Sequence, residues 1–200
     1  MSDVCLCVVF DCDGVLVDSV SSWKTLHDGF GTDNSKNLSR FIAGEISDVE
    51  FMRSDIAMWK EIRTPIHRDE LFRMYSGISL MPGARELVAH LQEHGVYVAI
   101  VSAGVDIFVS SIAALLKVDD WIANGFEFDD EDYLSDHGIC RLHASGKGDI
   151  IQRIIEMNFP DYRAIANRLQ FEFMYVCNNT SFSKEVFKYE AIFKPWQNYF

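Results

Sequence analysis

Two carboxylates end an apolar run near the start of the chain. In "VCLCVVFDCDGVLVDS" the stretch Val4–Phe10 stops at Asp11, and Asp13 follows. Residues two apart on an extended chain point to one side, so both carboxylates can face a common crevice, with Gly14 letting the backbone turn away from a bound group. Such a pair can face a bound group, and the blander reading is that it caps a helix. Ser102 closes a second apolar run, "VYVAIVS", and the small residues Ala103 and Gly104 follow it. Lys147 lies between Gly146 and Gly148 at the start of a helical pattern. On its own it reads as a surface lysine.

These residues need elements to bring them together. Val4–Phe10 and Val96–Ser102 are continuous apolar runs of the kind that fill buried parallel strands. "MPGARELVAHLQEHG" predicts a helix, with Pro82 near its start, Leu87, Val88 and Leu91 on one face and Gly95 as its stop. "AGVDIFVSSIAALLK" predicts another, with Phe108, Ile112 and Leu115 on one stripe, leading to a short strand at Trp121–Asn124. Alternating helices and buried strands predict an α/β fold with a doubly wound parallel sheet. Ligands collect beyond the carboxyl ends of strands in such sheets, where Asp11, Asp13 and Ser102 all fall.

Residues 17–80 interrupt the alternation with helical and polar segments, far more chain than one crossover helix needs. They predict a helical cap inserted in a core made of 1–16 and 81–200. Within it Ser47 and Glu50 are spaced as a capping box, and Val49, Met52, Ile56 and Trp59 recur at helical intervals as a core-facing stripe. "FEFDDEDYLSDHGICRL" predicts two short strands around an acidic turn, with Asp129, Asp130, Glu131 and Asp132 at a solvated tip.

The chain has 200 residues, 48% of them hydrophobic, and a formal net charge of −12. That is enough apolar material for one real core, and a field that repels anions unless a local cation or metal holds them. The absence of a basic stripe argues against nucleic acid, and the first apolar run is too short to cross a membrane or serve as a signal peptide. Five cysteines without regular spacing fit a reducing compartment, which predicts a cytoplasmic protein. Cys5 and Cys7 alternate onto one face of the first strand and are expected to be buried.

"VVFDCDGVLVDS", "VAIVSAG" and "SGKGDII" resemble, in order, the first three motifs of the haloacid dehalogenase superfamily. "VSAGVDIFV", "GKGDIIQRI", "GEISDVEFMR" and "IAN" are similar to its phosphoserine-phosphatase-like branch, and the resemblance runs from residue 4 to about 195. It implies a Rossmann-like core with a cap after the first motif, and a small phosphorylated substrate. Asp11 would be the nucleophile that forms an aspartyl-phosphate, and Asp13 the acid and base. Ser102, Ala103, Gly104 and Lys147 would bind the phosphate. Mg²⁺ would be held by Asp11 and the backbone carbonyl of Asp13.

The fourth motif departs from the family pattern. After "FEFMYV" the family has Gly-Asp and then a second aspartate; this chain has Cys177 and Asn178, then Phe182 or Ser183. Asn178 would be a weak neutral ligand in place of an acid, and losing metal charge from a transition state costs several kcal/mol, roughly a hundredfold or more in rate. Cys177 reads as a small residue at a glycine position. Family members usually continue for another strand and helix beyond this point, so an edge strand is expected to be missing. The branch uses a cap glutamate and a cap arginine for substrate; the matching positions are Val20 and Asp55, and Arg53 lies one helical step from the expected arginine. The leading expectation is a phosphatase. The alternative is a weakened protein of the same fold that binds phosphate or a protein partner.

Overall fold

The computed structural model describes residues 7–143, 146–158 and 173–176. Its first strand, β1 (Cys7–Phe10), is the described part of the predicted run Val4–Phe10. Four helices follow before the next strand: α1 (Ser22–Phe30), α2 (Ser35–Ile42), α3 (Asp48–Ile62) and α4 (Arg68–Arg73). Then come α5 (Ala84–Glu93), β2 (Tyr97–Val105), α6 (Asp106–Leu116), β3 (Asp120–Phe128), β4 (Leu134–Ile139), α7 (Lys147–Asn158) and β5 (Phe173–Val176). The fold is α/β. A five-stranded sheet has the order β4-β3-β2-β1-β5, parallel except for the β3–β4 hairpin.

Alternation along β1 builds a core on each face of this sheet. Val8 and Phe10 pack with Val88 of α5 and with Phe108 and Ile112 of α6. Cys7 and Val9 pack on the other face with Ala99, Val101 and the α7 residues Ile151 and Ile154. The sheet is therefore doubly wound. The first core continues without a break through Leu26, Ile56, Trp59 and Leu71 of the helices between β1 and β2. Trp59 is fully buried, stacked on Phe30 at 5.7 Å between ring centroids and edge-on to Phe126 at 5.6 Å. The chain leaves and re-enters the sheet region at adjoining points: Asp18 N–H donates to Ser79 O and Met81 N–H to Leu16 O, both at 2.9 Å.

Several elements differ from expectation in informative ways. β2 runs past Ser102 to Val105, and its pairing with β3 jumps from Ser102↔Ala123 to Val105↔Asn124, so Ala103 and Gly104 form a bulge at the strand end. The short strand Trp121–Asn124 and the first hairpin strand are one element, β3: its first half pairs with β2 and its second half with β4. Nothing local marks that change of partner, because both halves are extended. The capping box at Ser47 and Glu50 is present on α3. Met52, Ile56 and Trp59 face inward as expected, but Val49 is 42% exposed, since the first turn of α3 projects beyond the core. On α6 the inward stripe takes Leu116, and Leu115 is 46% exposed. Asp129, Asp130, Glu131 and Asp132 are exposed at the β3–β4 turn. Among the described residues no helix is long and apolar enough to cross a membrane. Cys5, Cys177, Asn178, Phe182, Ser183 and the expected missing edge strand lie outside the described residues.

Candidate active site

Strand register explains how the site is assembled. Phe10 lies level with Ile100 of β2, so Asp11 and Ser102 both emerge at the carboxyl end of the sheet, where the chain departs from strand geometry. Gly14, at φ 71°, turns the chain just after Asp13. Asp11, Asp13, Ser102, Ala103, Gly104 and Lys147 line one cavity of about 350 Å³, with Val20, Ser21 and Trp23 completing its wall. A larger cavity of about 600 Å³ lies between α6 and the β3–β4 hairpin, but it contains none of these strand-end groups.

Lys147, the first residue of α7, is only 7% exposed, and its Nζ donates to Asp11 Oδ2 at 2.6 Å. Asp11 Oδ1 accepts from Cys12 N–H at 2.9 Å, which fixes the carboxylate plane. Asp13 is held differently. Its Oδ2 accepts from both the backbone N–H and the hydroxyl of Ser22, each at 2.8 Å. Ser22 opens α1, so its N–H is one of the donors that a helix start leaves without an intrahelical acceptor. The Ser22 hydroxyl in turn accepts from Val105 N–H at 2.9 Å, which ties α1, Asp13 and the end of β2 into one chain of bonds.

Burial pushes the Asp13 carboxyl above the usual carboxylate range. The two Ser22 hydrogen bonds pull it down, and the Asp11 charge adds to the rise. Asp13 therefore keeps its proton to higher pH than an exposed aspartate. Between the two aspartates, the Cys12 thiol is pushed well up by burial and then by the charges of Asp13 and Asp11, which makes it a poor nucleophile.

Gly104 allows this close arrangement. A Cβ there would come within 2.6 Å of Ser22 Oγ and 2.9 Å of Asp13 Oδ2. Ser102 is buried, and its Oγ accepts from Gly104 N–H at 3.1 Å. Trp23 Nε1–H donates to Ala103 O at 3.0 Å, anchoring the bulge from the side of α1.

Sequence reasoning missed Ser22 and Trp23. "SSW" at the start of a helix signals a cap, as Ser21 indeed provides by accepting from Lys24 N–H, but no spacing indicates that the next serine turns to Asp13. Arg53 is exposed on α3 and does not line the cavity, because the helix turns Met52, Asp55, Ile56 and Trp59 inward. Val20 does line it, 88% exposed at its mouth. Asp55 is fully buried, 3.3 Å from His27 Nε2 and within hydrogen-bond reach of Asn34 at 3.3 Å.

The donor set suits a hard divalent cation in kind. Asp11 and Asp13 offer carboxylate and carbonyl oxygens, and Asp13 Oδ1 is buried with no hydrogen-bond partner among the described residues.

The family described as haloacid dehalogenase-like hydrolase matches residues 8–167. Phosphoserine phosphatase of Archaeoglobus fulgidus is 32% identical over 123 residues, which cover 61% of this chain and 35% of that protein. The match thus spans only about a third of that relative's length. Phosphoserine phosphatase of Methanocaldococcus jannaschii is 25% identical over 164 residues, covering 80% and 76% of the two chains. Among solved structures, a substrate-bound phosphoserine phosphatase complex superposes with a TM-score of 0.66 at 19% identity and covers 88% of each chain. A phospho-aspartyl intermediate analogue of phosphoserine phosphatase gives 0.65 at 20% identity, covering 86% and 77%. At such identities the structural likeness speaks to the fold alone, and the sequence match over most of the chain speaks to descent. The chain belongs to the haloacid dehalogenase-like hydrolase family and resembles its phosphoserine phosphatases.

Proposed function

We propose that this protein hydrolyses phosphate monoesters of a small metabolite through an aspartyl-phosphate on Asp11. The observation that carries the reading is the 2.6 Å contact between Lys147 and Asp11 inside the cavity that Asp13 and Ser102–Gly104 also line. A buried cation beside a strand-end carboxylate serves a dianionic group better than it serves the stability of the fold.

Each residue's part follows from its position. Ser102 and the N–H groups of Ala103 and of Gly104, the latter turning from Ser102 Oγ to the ligand, hold non-bridging phosphate oxygens, and Lys147 balances charge on the transferred group. An Asp11 oxygen attacks phosphorus while the bond to the leaving oxygen breaks, and protonated Asp13 gives its proton to that oxygen. A water molecule then attacks phosphorus and Asp13 takes its proton. The bond to Asp11 breaks, releasing inorganic phosphate and restoring both carboxyl groups. Asp11, the Asp13 carbonyl and Asn178 are the residues that would hold Mg²⁺, which when bound screens the phosphate charge from Asp11.

We read 17–80 as a cap on a core made of 1–16 and 81–200, a reading supported by the paired exit and return of the chain and by Val20, Ser21 and Trp23 in the cavity wall. The relatives named phosphoserine phosphatase suggest a substrate class, but neither cap residue supports phosphoserine itself. Val20 offers no charge, and Asp55 is turned into the core beside His27. Recognition then rests mainly on the phosphate. We read the setting as reducing and cytoplasmic, a reading supported by five cysteines without regular spacing.

A second reading rests on one observation: neutral Cys177 and Asn178 stand where the family has Gly-Asp. In that reading the cavity binds phosphate, or the fold a protein partner, without turnover. Release of phosphate from an aryl phosphate decides between them. The enzyme reading expects release stimulated by Mg²⁺ or Mn²⁺ and lost in Asp11→Asn; no release above that variant at any concentration of either ion leaves the binding module.

A further inference from the structure

Away from the cavity, three unlike ligand groups converge where α3 meets the segment after β4. Asp48 is the first residue of α3, and Cys140 and His143 follow β4. One carboxylate oxygen, the Cys140 sulfur and a His143 ring nitrogen all lie within 4.8 Å of one another. His143 Nδ1 is the focus, 2.9 Å from Asp48 Oδ2 and 3.7 Å from Cys140 Sγ.

One ring nitrogen cannot satisfy both neighbours. If Nδ1 carries a proton it serves the carboxylate and has no lone pair for the thiol; if it is bare, it faces the carboxylate lone pair to lone pair. Among the described residues the alternative acceptor for the thiol proton is Leu142 O at 3.6 Å, which leaves the sulfur lone pairs turned to the ring nitrogen and the carboxylate. A cation among the three removes the conflict, because each then gives a lone pair to the same centre.

We propose that Asp48, Cys140 and His143 form a Zn²⁺ site, with solvent as the fourth ligand. Thiolate, imidazole and carboxylate are the ligand types that borderline-soft Zn²⁺ takes in tetrahedral geometry. Tetrahedral zinc sets sulfur and nitrogen ligands about 3.5 Å apart and nitrogen and oxygen ligands about 3.3 Å apart. The observed 3.7 and 2.9 Å need shifts of only a few tenths of an ångström. The side chains of Asp48 and His143 are 20% and 67% exposed, so an ion can enter from solvent. Binding sends the thiol proton to solvent, and the two resulting negative ligands neutralise the ion, so no net charge is left at the junction. Asp48 belongs to the segment between β1 and β2, whereas Cys140 and His143 precede Lys147. The ion would clamp that segment to the stretch leading toward the catalytic lysine.

Co²⁺ titration of the full-length chain under a non-thiol reductant tests the site by spectroscopy. One equivalent should give a thiolate-to-cobalt charge-transfer band in the near ultraviolet, displaced by Zn²⁺. The band should vanish in Cys140→Ser and in His143→Ala, two positions open enough to solvent for both variants to fold. It should persist in Asp11→Asn, which separates this site from the cavity and makes the result independent of any phosphatase activity. Absence of the band in the wild type, or its survival in either Cys140→Ser or His143→Ala, overturns the proposal.

Discussion

Asp13 and Asp11 are both aspartates two residues apart, and their surroundings give them different chemistry. Asp11 is ion-paired to Lys147, while burial holds a proton on Asp13 above the ordinary carboxylate range. A carboxyl whose folded pKa exceeds its unfolded one binds more protons when folded, so stability is lost as pH rises through the interval between them. Asp13→Asn removes that interval. Urea midpoints should therefore fall less for the variant than for the wild type between mildly acid and neutral buffer; parallel trends would mean that Asp13 does not hold its proton. The same substitution should lower turnover of an aryl phosphate about 10²–10⁴-fold while inorganic phosphate still binds, since the lost function is proton transfer. Gly104→Ala should cost about 1–3 kcal/mol in denaturant titration and reduce turnover as well, because the added methyl group presses on Ser22 Oγ and Asp13 Oδ2 together. Asp11, Asp13 and Ser102 could be found in the sequence because strand ends are visible in pattern, whereas Lys147 reads as a surface lysine until the resemblance of its segment to a third family motif singles it out. Ser22 could not, since its hydrogen bonds to Asp13 depend on how α1 approaches β2, and that is decided by tertiary packing.

At the level of elements, α3 combines a strong local signal with a surface role. Its capping box satisfies the Ser47 and Glu50 N–H groups reciprocally, at 2.8 and 3.2 Å. Ser47→Ala should cost about 1 kcal/mol by urea denaturation and leave the Michaelis constant for an aryl phosphate unchanged. A change in that constant would mean that the start of α3 reaches the cavity. Helices α3, α5 and α6, the parallel core strands and the hairpin are readable from periodicity, because apolar spacing reports which side of an element is buried, whereas α1, α2 and α4 are legible only as one helical and polar stretch. The change of partner within β3 was not, and neither was the bulge at Ala103–Gly104. Both arise from how strands meet, with no composition of their own. Val49 and Leu115 illustrate the same limit: each fits a helical stripe by spacing, yet both are largely exposed, and on α6 the buried face passes through Leu116 instead.

Across the whole molecule, one apolar core joins the sheet to the helices between β1 and β2, and Trp59 is its largest fully buried side chain. Trp59→Ala should cost about 3–5 kcal/mol and weaken activity through Trp23, whose ring stacks on Trp59 at 6.2 Å between centroids and whose indole N–H holds Ala103. A calorimetric scan showing a small loss would instead make that segment an independently folding unit. The overall charge of −12 works against an anionic substrate, so the local cation at Lys147 has to outweigh the field of the entire chain for the proposed chemistry to run. The account rests on covalent bonding between Asp11 and phosphorus, and mass spectrometry of the full chain, acid-quenched during turnover of an aryl phosphate, tests this directly. A phosphoryl group is expected on the peptide containing Asp11, absent in Asp11→Asn. Sustained phosphate release with that peptide unmodified, or release undiminished in Asp11→Asn, would contradict it.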